Sequence, residues 1–297
     1  MRKFLLKSIH FILPIFILLI ILEFLTRNAN TVIGEKKEGL ITNIDSIQLL
    51  ILGNSHTGDG LNPSQFNLYA YNMAMGSQSL YYDIEITKKY LSRLSHLKYV
   101  LISVDYHSLY FTHEKKRDFL YHNYYNLDYN KDIWRNSNMS TLFYGYGFKL
   151  GLNQILKPKY NLTKGWAGYK TTNQTQLNSV YAQKRVDYFN DIINENISNK
   201  NEIISELNLF ISLLKSKNIT PIIIALPCHK YFNNLLNKNI LKQNEEDIHA
   251  ICRKNNIEYF NYLNEDFPDS LFYNVDHLNE KGATQISDMI NIKINDL

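Results

Sequence analysis

Ile47-Gln48-Leu49-Leu50-Ile51-Leu52-Gly53-Asn54-Ser55-His56 is the stretch on which the fold turns. A nearly unbroken apolar run that ends in glycine reads as a buried parallel strand meeting a functional turn. Working outward from it, further strands are predicted at Tyr69–Met73 (followed by Gly76), Tyr99–Val104, Pro221–Leu226 and Ile257–Tyr262. Helical patterns cover about residues 82–94, 200–217, 238–254 and 280–294. Strands alternating with helices predict an α/β fold in three layers, α/β/α, with a central parallel sheet covered on both faces. Ligands of such sheets bind beyond the carboxyl ends of the strands, so the residues after each strand are the candidates for chemistry. Residues 106–180 break the rhythm. Rich in Tyr and Asn with scattered Gly, they read as an insertion bordering the site.

A serine at a strand-to-loop turn, beside a glycine that lets the backbone bend, presents its hydroxyl and its own amide at the sheet edge. The same four residues, Gly53 to His56, equally suit a polar turn that caps a helix. Far downstream, Phe272-Tyr273-Asn274-Val275-Asp276-His277-Leu278-Asn279-Glu280-Lys281-Gly282-Ala283 lies between the last strand and the last helix. A histidine there can accept the Ser55 proton, the nucleophile and base pairing that acyl transfer requires. Taken alone, His277 reads as a loop residue ahead of an Asn279 N-cap. The two segments at one sheet edge favour the pair.

These blocks resemble the SGNH, or GDSL-like, hydrolase superfamily: GNSH after a first strand, Gly76 after a second, DHLNEKGA before a final helix. The GNSHTGDGLNP and DHLNEKGA wording is similar to membrane-anchored members that acylate cell-surface polymers, as in lipoteichoic-acid D-alanylation and alginate acetylation. The resemblance spans about residues 47–290 and implies an SGNH/flavodoxin-like sheet. It also implies Ser55 as nucleophile, His277 as general base, and the amides of Ser55 and Gly76 as oxyanion hole. Each such fixed donor is worth about 2.7 to 4 kcal/mol of barrier lowering.

Two positions depart from the family pattern. An acid is usual three residues before the histidine, where this chain has Asn274; Asp276 is adjacent instead, and the orienting residue stays open between the two. An asparagine donor to the oxyanion hole is usual after the third strand, where this chain reads Ser103-Val104-Asp105-Tyr106-His107-Ser108. The third donor is therefore missing or comes from Tyr106, His107 or Ser108, and Asp105 is expected to tie down its loop, since a carboxylate would oppose an oxyanion.

Other candidates read as structural. His56 is expected to be an exposed turn residue or a donor behind the site. Cys228 is expected to be an ordinary buried thiol despite its neighbour His229, because adjacent residues seldom face one another. The spacing of His107, His113 and His122 is too loose for a metal motif, so neither a metal nor a cofactor is expected.

The chain has 297 residues, 45% of them hydrophobic, with 22 Tyr and 15 Phe, ample for a packed core. Of the net charge of +4, the first segment supplies +3 through Arg2, Lys3, Lys7 and Arg27 against Glu23. The near-neutral remainder does not support nucleic-acid binding. Residues 9–25, IHFILPIFILLIILEFL, are just long enough to span a bilayer, follow a basic start, and precede no good cleavage site. The reading favours an uncleaved anchor (residues 1–27) over a signal peptide, then a polar linker (28–45) and one domain (46–297). The N-terminus is expected in the cytoplasm and the domain outside, at the cell membrane.

The expectation is therefore an extracytoplasmic serine esterase or O-acyltransferase acting on a cell-surface glycan or related polymer with an acyl donor. Trp134 and Trp166 suit sugar stacking. The rival is a weak or inactive domain of the same fold that binds polymer or recruits a membrane acyltransferase partner.

Overall fold

The computed structural model describes residues 1–114, 117–129, 145–155, 160–169 and 171–297. The chain divides into two compact units, Met1–Lys37 with Glu114–Tyr160, and Glu38–His113 with Asn161–Leu297.

The first unit is helical. Helix α1 (Arg2–Arg27) contains Pro14 and exposes most of its apolar side chains. An 18-residue window inside its Leu6–Arg27 segment has a mean hydropathy of 2.5, and the segment is 22 residues long. At 1.5 Å per residue that is about 33 Å, enough for a hydrocarbon core of about 30 Å. Helix α2 (Val32–Thr42) follows, where a linker was expected. The sequence VIGEKKEGLIT buries Ile33 and Leu40 at a spacing of seven, two helical turns apart. Helices α5 (Asp118–Tyr125) and α6 (Gly145–Ile155) belong to the same unit. Asn123 Nδ2 donates to the Arg27 carbonyl and Tyr124 Oη to that of Ala29, while Gly151 lies against Thr26. These contacts draw part of the expected insertion to the N-terminal segment. Trp134 and the rest of residues 130–144 lie outside the described residues.

The second unit carries a five-stranded parallel sheet in the order β2-β1-β3-β4-β5. Its strands are β1 (Leu49–Leu52), β2 (Ala70–Asn72), β3 (Tyr99–Ser103), β4 (Thr220–Ala225) and β5 (Tyr259–Asn261). Each expected strand is present; four are trimmed by a residue or more to their paired core, and β4 keeps its length but starts one residue earlier, at Thr220. Alternation along the strands sends Leu49, Ile51, Leu101, Ile222 and Ile224 into one cluster with Ile286, Ile290 and Ile294 of α11 (Glu280–Asn295). Helix α8 (Lys200–Ser216) packs on β4, burying Leu207, Phe210, Ile211 and Leu214, and also meets α4 (Leu80–Tyr90) and α10 (Lys238–Asn255).

The order places β1 between β2 and β3, so the chain reverses its direction of travel across the sheet at β1 and β3. Such a switch point opens a crevice beyond the strand ends. Two short helices, α3 (Ser55–Gly60) and α9 (Lys230–Asn233), start from loops at that edge. Helix α7 (Ser179–Glu195) was not expected from the sequence. Its buried Ala182, Val186, Phe189 and Ile193 recur every three or four residues, and Asn178 caps it.

Candidate active site

Gly53 ends β1 with φ +138, a conformation that side-chain-bearing residues rarely adopt, and a Cβ there would lie 2.5 Å from that of Ser103. Asn54 caps α3 through its Oδ1, which accepts from the His56 amide at 2.9 Å. Ser55 is thus the first residue of a helix, with its hydroxyl and amide at the crevice. The amide of a first residue has no acceptor within its helix.

The histidine loop is held just as firmly. Asn279 Oδ1 accepts from the amides of Lys281 and Gly282, capping α11, while its Nδ2 donates to the carbonyl of Ser270 at 2.7 Å. Gly282 lies so close to the Leu271 carbonyl that a Cβ would stand 2.2 Å from it. With the loop pinned at both ends, His277 Nε2 sits 2.9 Å from Ser55 Oγ.

The other ring nitrogen faces two oxygens: His277 Nδ1 is 3.1 Å from Asn274 Oδ1 and 3.2 Å from Asp276 Oδ1. Both are acceptors, so Nδ1 carries the proton and Nε2 is free to accept from Ser55. Asn274 Oδ1 also accepts from the amides of Asp276 and His277, which fixes its amide orientation. The alternative between Asn274 and Asp276 resolves into both touching the ring.

His56 is not the exposed turn residue expected from its neighbourhood. It is buried, with Nδ1 3.4 Å from Asp105 Oδ1 and Nε2 3.6 Å from Asp276 Oδ2, and its ring meets that of His277 edge-on at 5.0 Å. Burial opposes its charge, but Asp105, then Asp276, raises it to about 10. Asp105 also accepts from Ser103 Oγ. Burial alone would raise Asp276, yet His277, His56 and Arg185 hold it well below the usual carboxylate range. Arg185 of α7, absent from the sequence reading, donates Nε and Nη2 to Asp276 Oδ2 at 2.8 and 2.7 Å.

A cavity of about 80 Å³ beside Ser55 is lined by Ser77, His107, Phe111, Arg185, Phe189 and Ile192, among others. Ser77, rather than Gly76, borders it. The turn closed by the Gln78 amide on the Met75 carbonyl puts its positive φ, +55, on Ser77. Of the three substitutes for the missing asparagine, His107 lines this cavity. Ser108 Oγ instead accepts from the Asp105 amide, and Tyr106 Oη donates to Asn190. Trp166 is buried with its Nε1 donating to the Asp59 carbonyl, so its ring is not free to stack on a sugar.

Cys228 is buried, and burial pushes its thiol well above its usual value, while His229 turns to Asp269 at 3.1 Å. His56, Asp276 and His277 converge closely enough to be weighed as cation ligands. The Arg185 guanidinium already sits on Asp276 Oδ2, where such an ion would bind.

No protein-family model matches the chain, and no curated protein matches its sequence. Among solved structures it is similar to a GDSL-like lipase from Bacteroides thetaiotaomicron, with 10% identity, a TM-score of 0.43, and 88% of this chain and 97% of that one covered. It is also similar to a candidate acylhydrolase from Bacteroides fragilis, with 11% identity, a TM-score of 0.41, and coverage of 84% and 86%. The fold assignment stands on the strand order itself, a parallel α/β sheet with a serine and a histidine meeting at its switch-point edge.

Proposed function

We propose that the chain is a serine esterase or O-acyltransferase that works through an acyl-Ser55 intermediate. The observation that carries this reading is the 2.9 Å approach of His277 Nε2 to Ser55 Oγ, with Nδ1 held by oxygen acceptors. Ser55 Oγ bonds to the acyl carbon as its proton passes to His277 Nε2. The carbon–oxygen bond to the leaving alcohol then breaks, and that alcohol takes the proton from His277. Water or a sugar hydroxyl resolves the acyl-serine by the same path in reverse. The Ser55 amide lies where a developing oxyanion needs a donor, and the Gly76–Ser77 turn is the source of a second.

The cavity beside Ser55 is far smaller than the roughly 300–1,000 Å³ of sites for drug-sized ligands, which suits a short acyl group with the rest of the ester outside. A basic start and an apolar α1 support an extracytoplasmic placement, and the resemblance of the GNSHTGDGLNP and DHLNEKGA wording suggests a cell-envelope glycan as acceptor and a membrane acyltransferase as the source of acyl groups. The Asp105 carboxylate, standing where the family has an asparagine donor, favours a second reading, a slow or inactive domain that binds polymer.

A fluorophosphonate probe separates the two. The full chain in detergent should become labelled on Ser55, and Ser55→Ala should abolish the label. Folded wild-type protein that takes no label on Ser55 overturns the enzymatic reading in favour of the binding one.

A further inference from the structure

We infer that Arg185 and His56 are positioning residues that clamp one oxygen of Asp276 and so turn its other oxygen onto His277. The inference rests on the serine–histidine reading and gives a part in it to Arg185, outside the recognised blocks, and to His56, the last residue of the GNSH block.

Asp276 is the residue immediately before His277, and side chains of chain neighbours usually diverge, yet its Oδ1 stands 3.2 Å from His277 Nδ1. The turn that contains it is closed by Asn274, whose Oδ1 takes both following amides, so the backbone is set without help from the carboxylate. Something else must fix the Asp276 side chain.

Oδ2 supplies the answer. It receives Nε and Nη2 of Arg185 at 2.8 and 2.7 Å, with His56 Nε2 at 3.6 Å on a further side. A carboxylate whose one oxygen is held by a guanidinium fork has no freedom to swing about its χ angles.

Both clamps are themselves anchored. Arg185 projects from a helix whose apolar face is buried, and its guanidinium lies over the Phe189 ring at 4.8 Å. His56 is pinned from the opposite side by Asp105. Other groups near this cluster are the Tyr169 ring, edge-on to His277, Cys228 Sγ at the Asp276 carbonyl, and Asp83, a buried carboxyl that burial pushes up to about 7 and that also feels the Asp105 charge. Asp276 and Asp105 are each in contact with a cation, Arg185 and His56 on the first and His56 on the second. The carboxylate that the family places three residues before the histidine is thus replaced by one that needs partners from α3 and α7.

The test is a proton NMR signal that does not depend on turnover. In full-length protein carrying ¹⁵N-histidine, a hydrogen-bonded His277 Nδ1–H gives a downfield resonance, assigned by its loss in His277→Gln. Arg185→Gln should broaden or shift this resonance upfield, and Arg185→Lys, which lacks the fork, should restore it only in part. Because His56→Gln alone strands a buried Asp105, the charge-neutral double variant His56→Gln/Asp105→Asn provides the second arm, and it should disturb the same resonance. Ser55 labelling should slow by about tenfold to a hundredfold in Arg185→Gln. An unchanged Nδ1–H resonance in both Arg185→Gln and the double variant overturns the clamp. Failure of wild-type Ser55 to label would sink the enzymatic reading instead, while the resonance still decides the clamp.

Discussion

His56 and His107 are the same residue type, equally buried at 6% exposure, with ring centroids 6.5 Å apart, and their pKa values are shifted in opposite directions. His56 lies between Asp105 and Asp276 and is raised to about 10. His107 stacks on Phe189 at 4.4 Å with its Nδ1 unpartnered among the described residues. Burial, only partly offset by Asp105 and reinforced by the charges of His56 and Arg185, pushes it down to about 3. The same degree of burial therefore gives a fixed cation at one position and a fixed neutral ring at the other. Direct carboxylate contact decides between them, because an ion pair in a low-dielectric interior outweighs the desolvation it accompanies only when geometry is close.

The pair fixes how stability depends on pH, with opposite signs. The folded His56 value lies above the unfolded one of about 6.5, so its contribution is complete below that pH and is lost as pH rises towards 10. The folded His107 value lies below it, so stability is lost as pH falls from about 6.5 towards 3. Together they place the site's own stability maximum near neutrality.

Removing the ion pair is the larger of two ways to break the contrast. Asp105→Asn should destabilise the fold by about 3 kcal/mol near pH 7, the scale of a broken buried pair. It should also flatten the decline between pH 7 and 10, as read from urea midpoints across pH. A variant as steep as wild type over that range would mean that Asp105 does not hold the His56 charge. The smaller effect comes from His107→Phe, which keeps the stack on Phe189 and removes a buried ring nitrogen without a partner. Its stability at pH 7 should match wild type or exceed it by up to about 1 kcal/mol, and its loss between pH 6 and 4 should shrink. An acid-side loss equal to that of wild type would refute the neutral His107.

The contrast also shows where sequence reading succeeds. That Ser55 and His277 would meet was legible because each is announced by its local frame: an apolar run ending in Gly53, and a loop followed by the Asn279 cap and Gly282. The strands were legible for the same reason, as short apolar runs at fixed spacing. Arg185 was not, although the helix that carries it shows a regular apolar face, because its partner lies 91 residues away and charge pairing at that distance leaves no local pattern. The choice for His56 between an exposed turn residue and a donor behind the site was illegible for the same cause: its burial and its partners come from Asp105 and Asp276, on two other loops. Gly76 was singled out by the resemblance as an oxyanion-hole amide; in the turn that holds it the positive φ falls one residue later, on Ser77, a detail set by the closing hydrogen bond.

The central claim is a covalent acyl-Ser55, and acid-quenched mass spectrometry tests it most directly. Full-length protein mixed with a short-chain p-nitrophenyl ester and quenched within the first turnover should yield the Ser55 peptide carrying the acyl mass, absent in Ser55→Ala and strongly reduced in His277→Ala. Release of p-nitrophenol from folded wild-type protein with no acyl group on Ser55, or an equal signal in Ser55→Ala, would contradict the account.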